Sequence, residues 1–189
     1  MNSQTKIGIF DSGLGGLTVF KEVKTCFPNE NFIYLGDLAY LPYGSKSATT
    51  IINRCKKIVE FLINMEVKGI IVACNSASSV ALQALQRLYE IPIIGVINPS
   101  ISLALKTTQT KSIGLIGTQT TVRAKSYEKA LIAYTGGGNS FTIISTACPL
   151  FVPLVEDGWL IKNRDHDVSS SNEFILGELV NRILGSTCF

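Results

Sequence analysis

Charged residues are scarce in this 189-residue sequence, and histidine and tryptophan occur once each. Asp, Glu, Lys and Arg make up 16% of the chain and hydrophobic residues 46%, a composition typical of a packed core rather than of a disordered chain. Lysine and arginine are scattered, the longest basic run is Lys56-Lys57, and the formal net charge is only +3. The sequence therefore lacks the basic patch of a nucleic-acid-binding protein, and we expect no nucleic-acid partner.

Paired cysteines and long apolar runs are also missing. The five cysteines are odd in number and form no Cys-x-x-Cys pair, which argues against a disulfide framework or a zinc site. They are Cys26, Cys55, Cys74, Cys148 and Cys188. The apolar run at residues 7–10 is too short for a signal-peptide core, and no stretch approaches the ~20 apolar residues that span a bilayer. These absences predict a soluble, cytoplasmic protein with reduced thiols, no metal and no membrane contact.

Short apolar runs alternate with helical patterns along the chain. Strands are predicted at residues 6–10, 31–36, 69–73, 92–96, 112–116 and 141–146. Helices are predicted at 17–26, 49–65, 74–89, 100–106 and 122–133, and again at 173–184 after a polar loop at 165–171. This alternation predicts an α/β fold with mostly parallel sheets that helices cover on both faces.

The two halves of the sequence repeat the same theme. We place the division near Asn98-Pro99, which gives a first α/β lobe at residues 1–98 and a second at residues 99–189. Both lobes are expected to be Rossmann-like, with a cleft between them, and the second is expected to be incomplete. Asp11 and Cys74 belong to the first lobe.

Polar residues follow four of the predicted strands. Asp-Ser-Gly at residues 11–13 follows the first strand, Cys-Asn-Ser at 74–76 the third, Gly-Thr at 117–118 the fifth and Cys-Pro at 148–149 the sixth. In open parallel sheets, ligands bind beyond the carboxyl ends of the strands. Hydroxyl, amide, thiol and carboxylate groups gathered there suit an amino acid, which needs several hydrogen bonds and little apolar surface.

Cys74 and Asp11 each allow two interpretations. Cys74 leaves a buried strand and begins a helix, where backbone N–H groups and the helix dipole favour the reactive thiolate, but most cysteines are simply small buried residues. Asp11 either ties down the glycine-rich turn that follows it or manages protons beside Cys74. That turn matches neither dinucleotide- nor triphosphate-binding glycine patterns, so we exclude a nucleotide site.

Five motifs resemble those of the glutamate racemases, within the cofactor-independent Asp/Glu racemase family. They are Phe-Asp-Ser-Gly-Leu-Gly-Gly at residues 10–16, Tyr-Leu-Pro-Tyr-Gly at 40–44, Ala-Cys-Asn-Ser-Ala-Ser at 73–78, Gly-Thr at 117–118 with Thr-Val at 121–122, and Cys-Pro-Leu-Phe-Val-Pro-Leu-Val-Glu at 148–156. They occur in order and cover residues 6 to about 160. The broader pattern is shared with aspartate racemases.

The resemblance implies racemisation of glutamate without pyridoxal phosphate, other cofactors or metal, supplying D-glutamate for peptidoglycan. Family members use two cysteines, one for each face of the Cα atom. Cys74 corresponds to the first of these bases, and Asp11 to the carboxylate that assists it. The implied substrate contacts are Asp11, Ser12, Tyr43, Gly44, Asn75, Ser76, Thr118 and Thr121. The family also tends to pair, which allows a homodimer.

The family's second cysteine lies in a Gly-Cys-Thr-His-Tyr-Pro block that these 189 residues do not contain. A loose alternative alignment with residues 185–189 puts Ser186 at its position, and the only histidine, His166, lies in a charged stretch. We therefore expect a form of the family truncated at its carboxyl end, whose own activity is left open. An aspartate or other amino-acid racemase, and a catalytically silent glutamate-binding remnant, remain alternatives. A thiol hydrolase is disfavoured because no histidine is placed to activate Cys74.

Overall fold

A computed structural model of the chain describes residues 5–137 and 141–156. Strands and helices alternate through them. The strands are β1 Lys6–Asp11, β2 Asn31–Gly36, β3 Val67–Val72, β4 Ile93–Gly95, β5 Ser112–Gly117 and β6 Thr142–Ala147. The helices are α1 Leu17–Cys26, α2 Ala48–Asn64, α3 Asn75–Val80, α4 Leu82–Leu88, α5 Ile97–Thr107, α6 Gln119–Ala124, α7 Ser126–Thr135 and α8 Phe151–Glu156. The helix expected at 173–184 and the loop at 165–171 lie outside the described residues.

The strands form two parallel sheets, which confirms the expected α/β class. The first has the order β2-β1-β3-β4, and the second consists of β5 and β6. β1 is central, so Ile9 pairs with Tyr34 on one side and with Ile71 on the other. Ile9 and Phe10 are fully buried, as expected for a parallel strand that is covered on both faces. No strand pairing within the described residues crosses residue 98, although the division into two lobes there stays a prediction.

Helix α2 follows directly from its sequence pattern. Ser47 caps its first turn by accepting a hydrogen bond from the Thr50 N–H at 3.1 Å. Its apolar stripe, which includes Cys55, Val59 and Leu62, is fully buried against the first sheet. None of the described helices is long and apolar enough to cross a lipid bilayer.

Two helices expected to be continuous are interrupted. The segment at 74–89 divides into α3 and α4 at Ala81, and the segment around 122–133 divides into α6 and α7 at Lys125. Lys125 adopts a left-handed conformation with a φ of 51°, which a lysine adopts only at a cost. The turn brings the start of α7 against α3, where the Ser126 hydroxyl donates to the Ser79 carbonyl at 2.6 Å. Tertiary contacts therefore override the helical pattern at this point.

Leu62→Ala is expected to lower the free energy of unfolding by about 2–5 kcal/mol, because it opens a cavity beneath α2 in a close-packed core. Urea denaturation measures the change. The matched control is the neighbouring Phe61→Ala, since Phe61 is 51% exposed and its loss should cost less than about 1 kcal/mol. Equal losses for the two variants would contradict the packing described here.

Candidate active site

The carboxyl ends of strands from both sheets surround one cavity of about 230 Å³. Asp11 ends β1 and Gly117 ends β5, while Ala73 and Cys148 directly follow β3 and β6. The turn at residues 42–44 and the apolar side of α8 complete the lining. The rim expected from the sequence is therefore formed by strand ends of both sheets.

Among the described residues that line this cavity, Asp11 carries the only charged side chain. The other polar side chains are neutral: Ser12, Thr18, Tyr43, Cys74, Asn75, Ser76, Thr118, Thr121, Tyr127 and Cys148. A cationic group of a ligand thus has one carboxylate as its partner. Anionic groups must be met by hydroxyl, amide and backbone N–H donors.

Asp11 organises the glycine-rich turn after β1. Its Oδ2 atom accepts hydrogen bonds from the Gly16 N–H at 2.9 Å and the Gly13 N–H at 3.3 Å. A Cβ atom at residue 16 would lie 2.6 Å from the Asp11 Cβ, so the turn can approach this closely only with glycine there. The turn-binding interpretation of Asp11 is therefore correct, and the same buried carboxylate also lines the cavity.

Cys74 is the residue that caps the start of α3. Its Sγ atom accepts a hydrogen bond from the Ala77 N–H at 3.5 Å and donates one to the Ser12 Oγ at 3.5 Å. The side chain is buried, with 6% of its surface exposed. It is thus a thiol held in a fixed position at the cavity wall.

Burial and, after it, the negative charge of Asp11 raise the pKa of Cys74 to about 12, although its hydrogen bonds with Ser12 and Ala77 lower it. At the start of α3 the Ala77 N–H favours the thiolate, as expected from the sequence. The local groups act in the expected direction, but desolvation outweighs them. The protein holds Cys74 as a neutral thiol at neutral pH.

The alkylation rate of Cys74 by iodoacetamide is expected to rise about tenfold per pH unit from pH 8 to 11, because only the thiolate reacts. Asp11→Asn should increase the rate at each pH, since the variant removes the negative charge that raises the pKa. Peptide mass spectrometry follows the reaction, and the exposed Cys26 is the internal control. A rate that levels off below pH 9 would contradict the raised pKa.

Three hydroxyl groups connect the two sides of the cavity. The Ser76 and Thr118 hydroxyls lie 2.9 Å apart, and those of Thr118 and Thr121 lie 3.0 Å apart. Thr118 also caps α6, accepting from the Thr121 N–H at 3.2 Å. Gly44 packs against the same threonine so closely that a Cβ atom there would lie 2.6 Å from the Thr118 Cγ2.

Tyr43 lines the cavity, but its hydroxyl is engaged elsewhere. It donates to the Asp37 Oδ2 at 2.5 Å, and Arg54 holds both oxygens of that carboxylate at 3.0 and 2.6 Å. Burial raises the pKa of Tyr43, as does this hydrogen bond. Burial alone would raise the pKa of Asp37 too, yet the hydrogen bonds from Arg54 and Tyr43 lower it overall. Tyr43 therefore offers the cavity its ring and backbone rather than a free hydroxyl.

Two residues that sequence reasoning missed support the site. The Thr120 hydroxyl lies 3.0 Å from the Gly44 carbonyl and 3.1 Å from that of Lys46, and so fastens the turn at 43–45 to α6. The Tyr127 hydroxyl donates to the Asn75 Oδ1 at 2.6 Å. Thr120 adjoins the expected Thr121, but no local signal marks Tyr127, which contacts a residue 52 positions away.

All nine site residues expected from the sequence line this one cavity: Asp11, Ser12, Tyr43, Gly44, Cys74, Asn75, Ser76, Thr118 and Thr121. Their chemical roles stay predictions. Cys148, which the sequence placed at the same rim but not among the nine site residues, lines the cavity as well. His166 and Ser186 lie outside the described residues. In the described part of the chain, no three His, Cys, Asp or Glu side chains gather as a metal ion would require.

Solved structures of glutamate racemases have similar folds. Isoform RacE1 from Bacillus anthracis superposes with a TM-score of 0.81 at 33% identity, covering 98% of this chain and 76% of that one. The glutamate racemase from Francisella tularensis in complex with D-glutamate superposes with a TM-score of 0.78 at 31% identity. The match covers 96% of this chain and 73% of that one. The aspartate racemase of Picrophilus torridus superposes with a TM-score of 0.58 at 14% identity, a likeness in fold alone.

Curated sequences agree with the structural likeness. The glutamate racemase of Persephonella marina is 48% identical over 163 residues, which are 86% of this chain and 60% of that protein. The glutamate racemase of Aquifex aeolicus is 46% identical over 155 residues, 82% and 59% of the two chains. This chain thus spans about 60% of the length of these relatives. The model of the Asp/Glu/hydantoin racemases matches residues 15–165. The chain belongs to the Asp/Glu/hydantoin racemase family.

Proposed function

We propose that this chain binds glutamate in the cavity and exchanges its Cα proton through Cys74, as part of a cofactor-independent glutamate racemase. The observation that carries the proposal is the buried Cys74 thiol beside Asp11, in a cavity otherwise lined by neutral hydrogen-bonding groups. The similarity to proteins named glutamate racemase supports glutamate as the substrate.

The lining of the cavity fits the charges of an amino acid. Asp11 pairs with the ammonium group, because it is the one carboxylate that the described lining residues supply. The α- and side-chain carboxylates are bound by hydroxyl and amide donors, for which Ser12, Asn75 and Thr118 are suited. In the described part of the cavity wall, which holds no lysine or arginine, neutral donors can bind the two carboxylates.

Binding of the substrate would also prepare the base. The negative charge of Asp11 raises the pKa of Cys74. The positive charge of a bound ammonium group offsets it, so substrate binding lowers that pKa. The Cys74 thiolate then takes the Cα proton, forming an S–H bond while the electron pair of the C–H bond delocalises into the α-carboxylate. Return of a proton to Cα completes the exchange.

Inversion requires a proton donor on the opposite face of Cα. The family resemblance assigns it to a second cysteine in a block that the sequence does not contain. Among the described residues, Cys148 is the other thiol in the cavity wall. Proton exchange on one face is therefore the minimum expected activity of these 189 residues. A silent glutamate-binding protein is the second candidate, favoured by the raised pKa of Cys74.

The proposal extends to the cellular setting. We infer a role in the cytoplasm, supplying D-glutamate for peptidoglycan, with a homodimer as the assembly to test. The thiols of Cys26, Cys55, Cys74 and Cys148 are all free, which fits a reducing compartment.

The test gives different substrates to the purified 189-residue chain and compares the results. Each enantiomer of glutamate and of aspartate is supplied separately, and circular dichroism follows loss of optical activity while calorimetry measures binding. Inversion, or uptake of deuterium at Cα in deuterium oxide measured by mass spectrometry, supports the proposal when it is confined to glutamate. Preference for aspartate would favour the aspartate racemase alternative, and binding without inversion or exchange would favour the silent protein.

A further inference from the structure

The hydrogen bond between Tyr127 and Asn75 joins two helices at the cavity wall. Asn75 is the first residue of α3 and Tyr127 the second of α7, and both line the cavity. The bond is short, at 2.6 Å, and Tyr127 is only 8% exposed. Water therefore competes little with this contact, and the amide has a defined partner.

The first two residues of α7 both donate hydrogen bonds to α3. Lys125 takes the left-handed conformation that begins the helix, and the next two residues each bind α3: Ser126 through the Ser79 carbonyl and Tyr127 through the Asn75 amide. Two adjacent donors aimed at one short helix fix its position relative to α7. The strained turn is consistent with a demand for placement at this point.

The direction of the hydrogen bond decides what Asn75 can offer. Burial raises the pKa of Tyr127, so its phenol is protonated at neutral pH and acts as a donor. The phenol proton goes to the Asn75 Oδ1, the only acceptor of that side chain. The Nδ2 group, which carries two N–H donors, is then left for the cavity.

We propose that Tyr127 is a positioning residue that orients the Asn75 amide, so that its NH₂ group donates to a carboxylate of the substrate. The binding of a substrate carboxylate by Asn75 rests on the proposed function, whereas the orientation of its amide by Tyr127 does not. Without the phenol hydroxyl, the amide is free to rotate and to present its oxygen to the carboxylate, which is repulsive. The ring of Tyr127 has a separate task, packing with Ile97, Ile101 and Leu131.

Tyr127→Phe tests the proposal because it removes the hydroxyl and keeps the ring. The Asn75 side-chain NH₂ signals in a ¹H–¹⁵N spectrum, assigned by their loss in Asn75→Ala, should shift or broaden in Tyr127→Phe. The matched control is Tyr134→Phe, on the exposed side of the same helix, where Tyr134 is 51% exposed and the amide signals should not change.

Calorimetric titration with D-glutamate gives the functional readout. Tyr127→Phe should weaken binding by about 3- to 10-fold, the range expected for one hydrogen bond. Asn75→Ala should weaken binding at least as much, and adding Tyr127→Phe to it should change the affinity less than 2-fold, because the two residues act through one contact.

Unchanged amide signals with wild-type affinity in Tyr127→Phe would overturn the proposal, as would full additivity of the two substitutions. If the wild-type chain binds no glutamate, the proposed function is wrong for this chain. The amide signals then still decide whether Tyr127 orients Asn75, since they require no ligand.

Discussion

Cys74→Ser is expected to lower the rate of Cα proton exchange in glutamate by about 10²- to 10⁴-fold, the usual contribution of a general base. Serine keeps the cap of α3, because its oxygen can accept from the Ala77 N–H as the sulfur does. Its hydroxyl ionises far less readily than a thiol, so no base remains at this position. Mass spectrometry of glutamate incubated in deuterium oxide measures the rate.

Two other cysteines serve as controls for this result. Cys26→Ser lies on the exposed surface and should leave exchange unchanged. Cys148→Ser alters the other thiol of the cavity and should reduce exchange less than Cys74→Ser does. A Cys74→Ser variant that is folded and exchanges at the wild-type rate would exclude Cys74 as the base.

Gly44→Ala is expected to weaken glutamate binding by about 5- to 150-fold, which corresponds to the usual cost of overpacking of about 1–3 kcal/mol. The new Cβ would lie 2.6 Å from Cγ2 and 2.7 Å from Cβ of Thr118, so the turn at 43–45 and α6 must separate. That movement disturbs the contact between the Ser76 and Thr118 hydroxyls. It also disturbs the hydrogen bond from the Thr120 hydroxyl to the Gly44 carbonyl. Titration calorimetry with D-glutamate measures the loss.

Gly114→Ala is the matched control, because a Cβ atom at residue 114 meets nothing within 4 Å. Its affinity should equal that of the wild type. If Gly44→Ala also bound with wild-type affinity, the close approach of the turn to Thr118 would have no part in the site.

The strand ends of the site follow from sequence alone. Apolar runs bounded by turn residues located β1, β3, β5 and β6 to within two residues at each end, and the topology of parallel sheets brings their carboxyl ends together. The assignment of Cys74 and Asp11 to one cavity required only this reasoning and the family motifs.

What the sequence does not reveal depends on contacts between distant side chains. The engagement of the Tyr43 hydroxyl by Asp37 and the reach of Tyr127 to Asn75 leave no periodic or compositional signal. The pKa of Cys74 likewise depends on burial by the whole fold, which a local pattern cannot supply. The break at Lys125 occurs where tertiary hydrogen bonds to α3 outweigh helix continuity.

Proton exchange by this chain is measured directly as Cα deuterium incorporation by the wild-type protein, followed separately for D- and L-glutamate in deuterium oxide. We expect deuterium at Cα of at least one enantiomer, with retention if one face alone exchanges its proton and with inversion if a second donor acts. A folded chain that binds glutamate and incorporates no deuterium into either enantiomer would contradict this expectation.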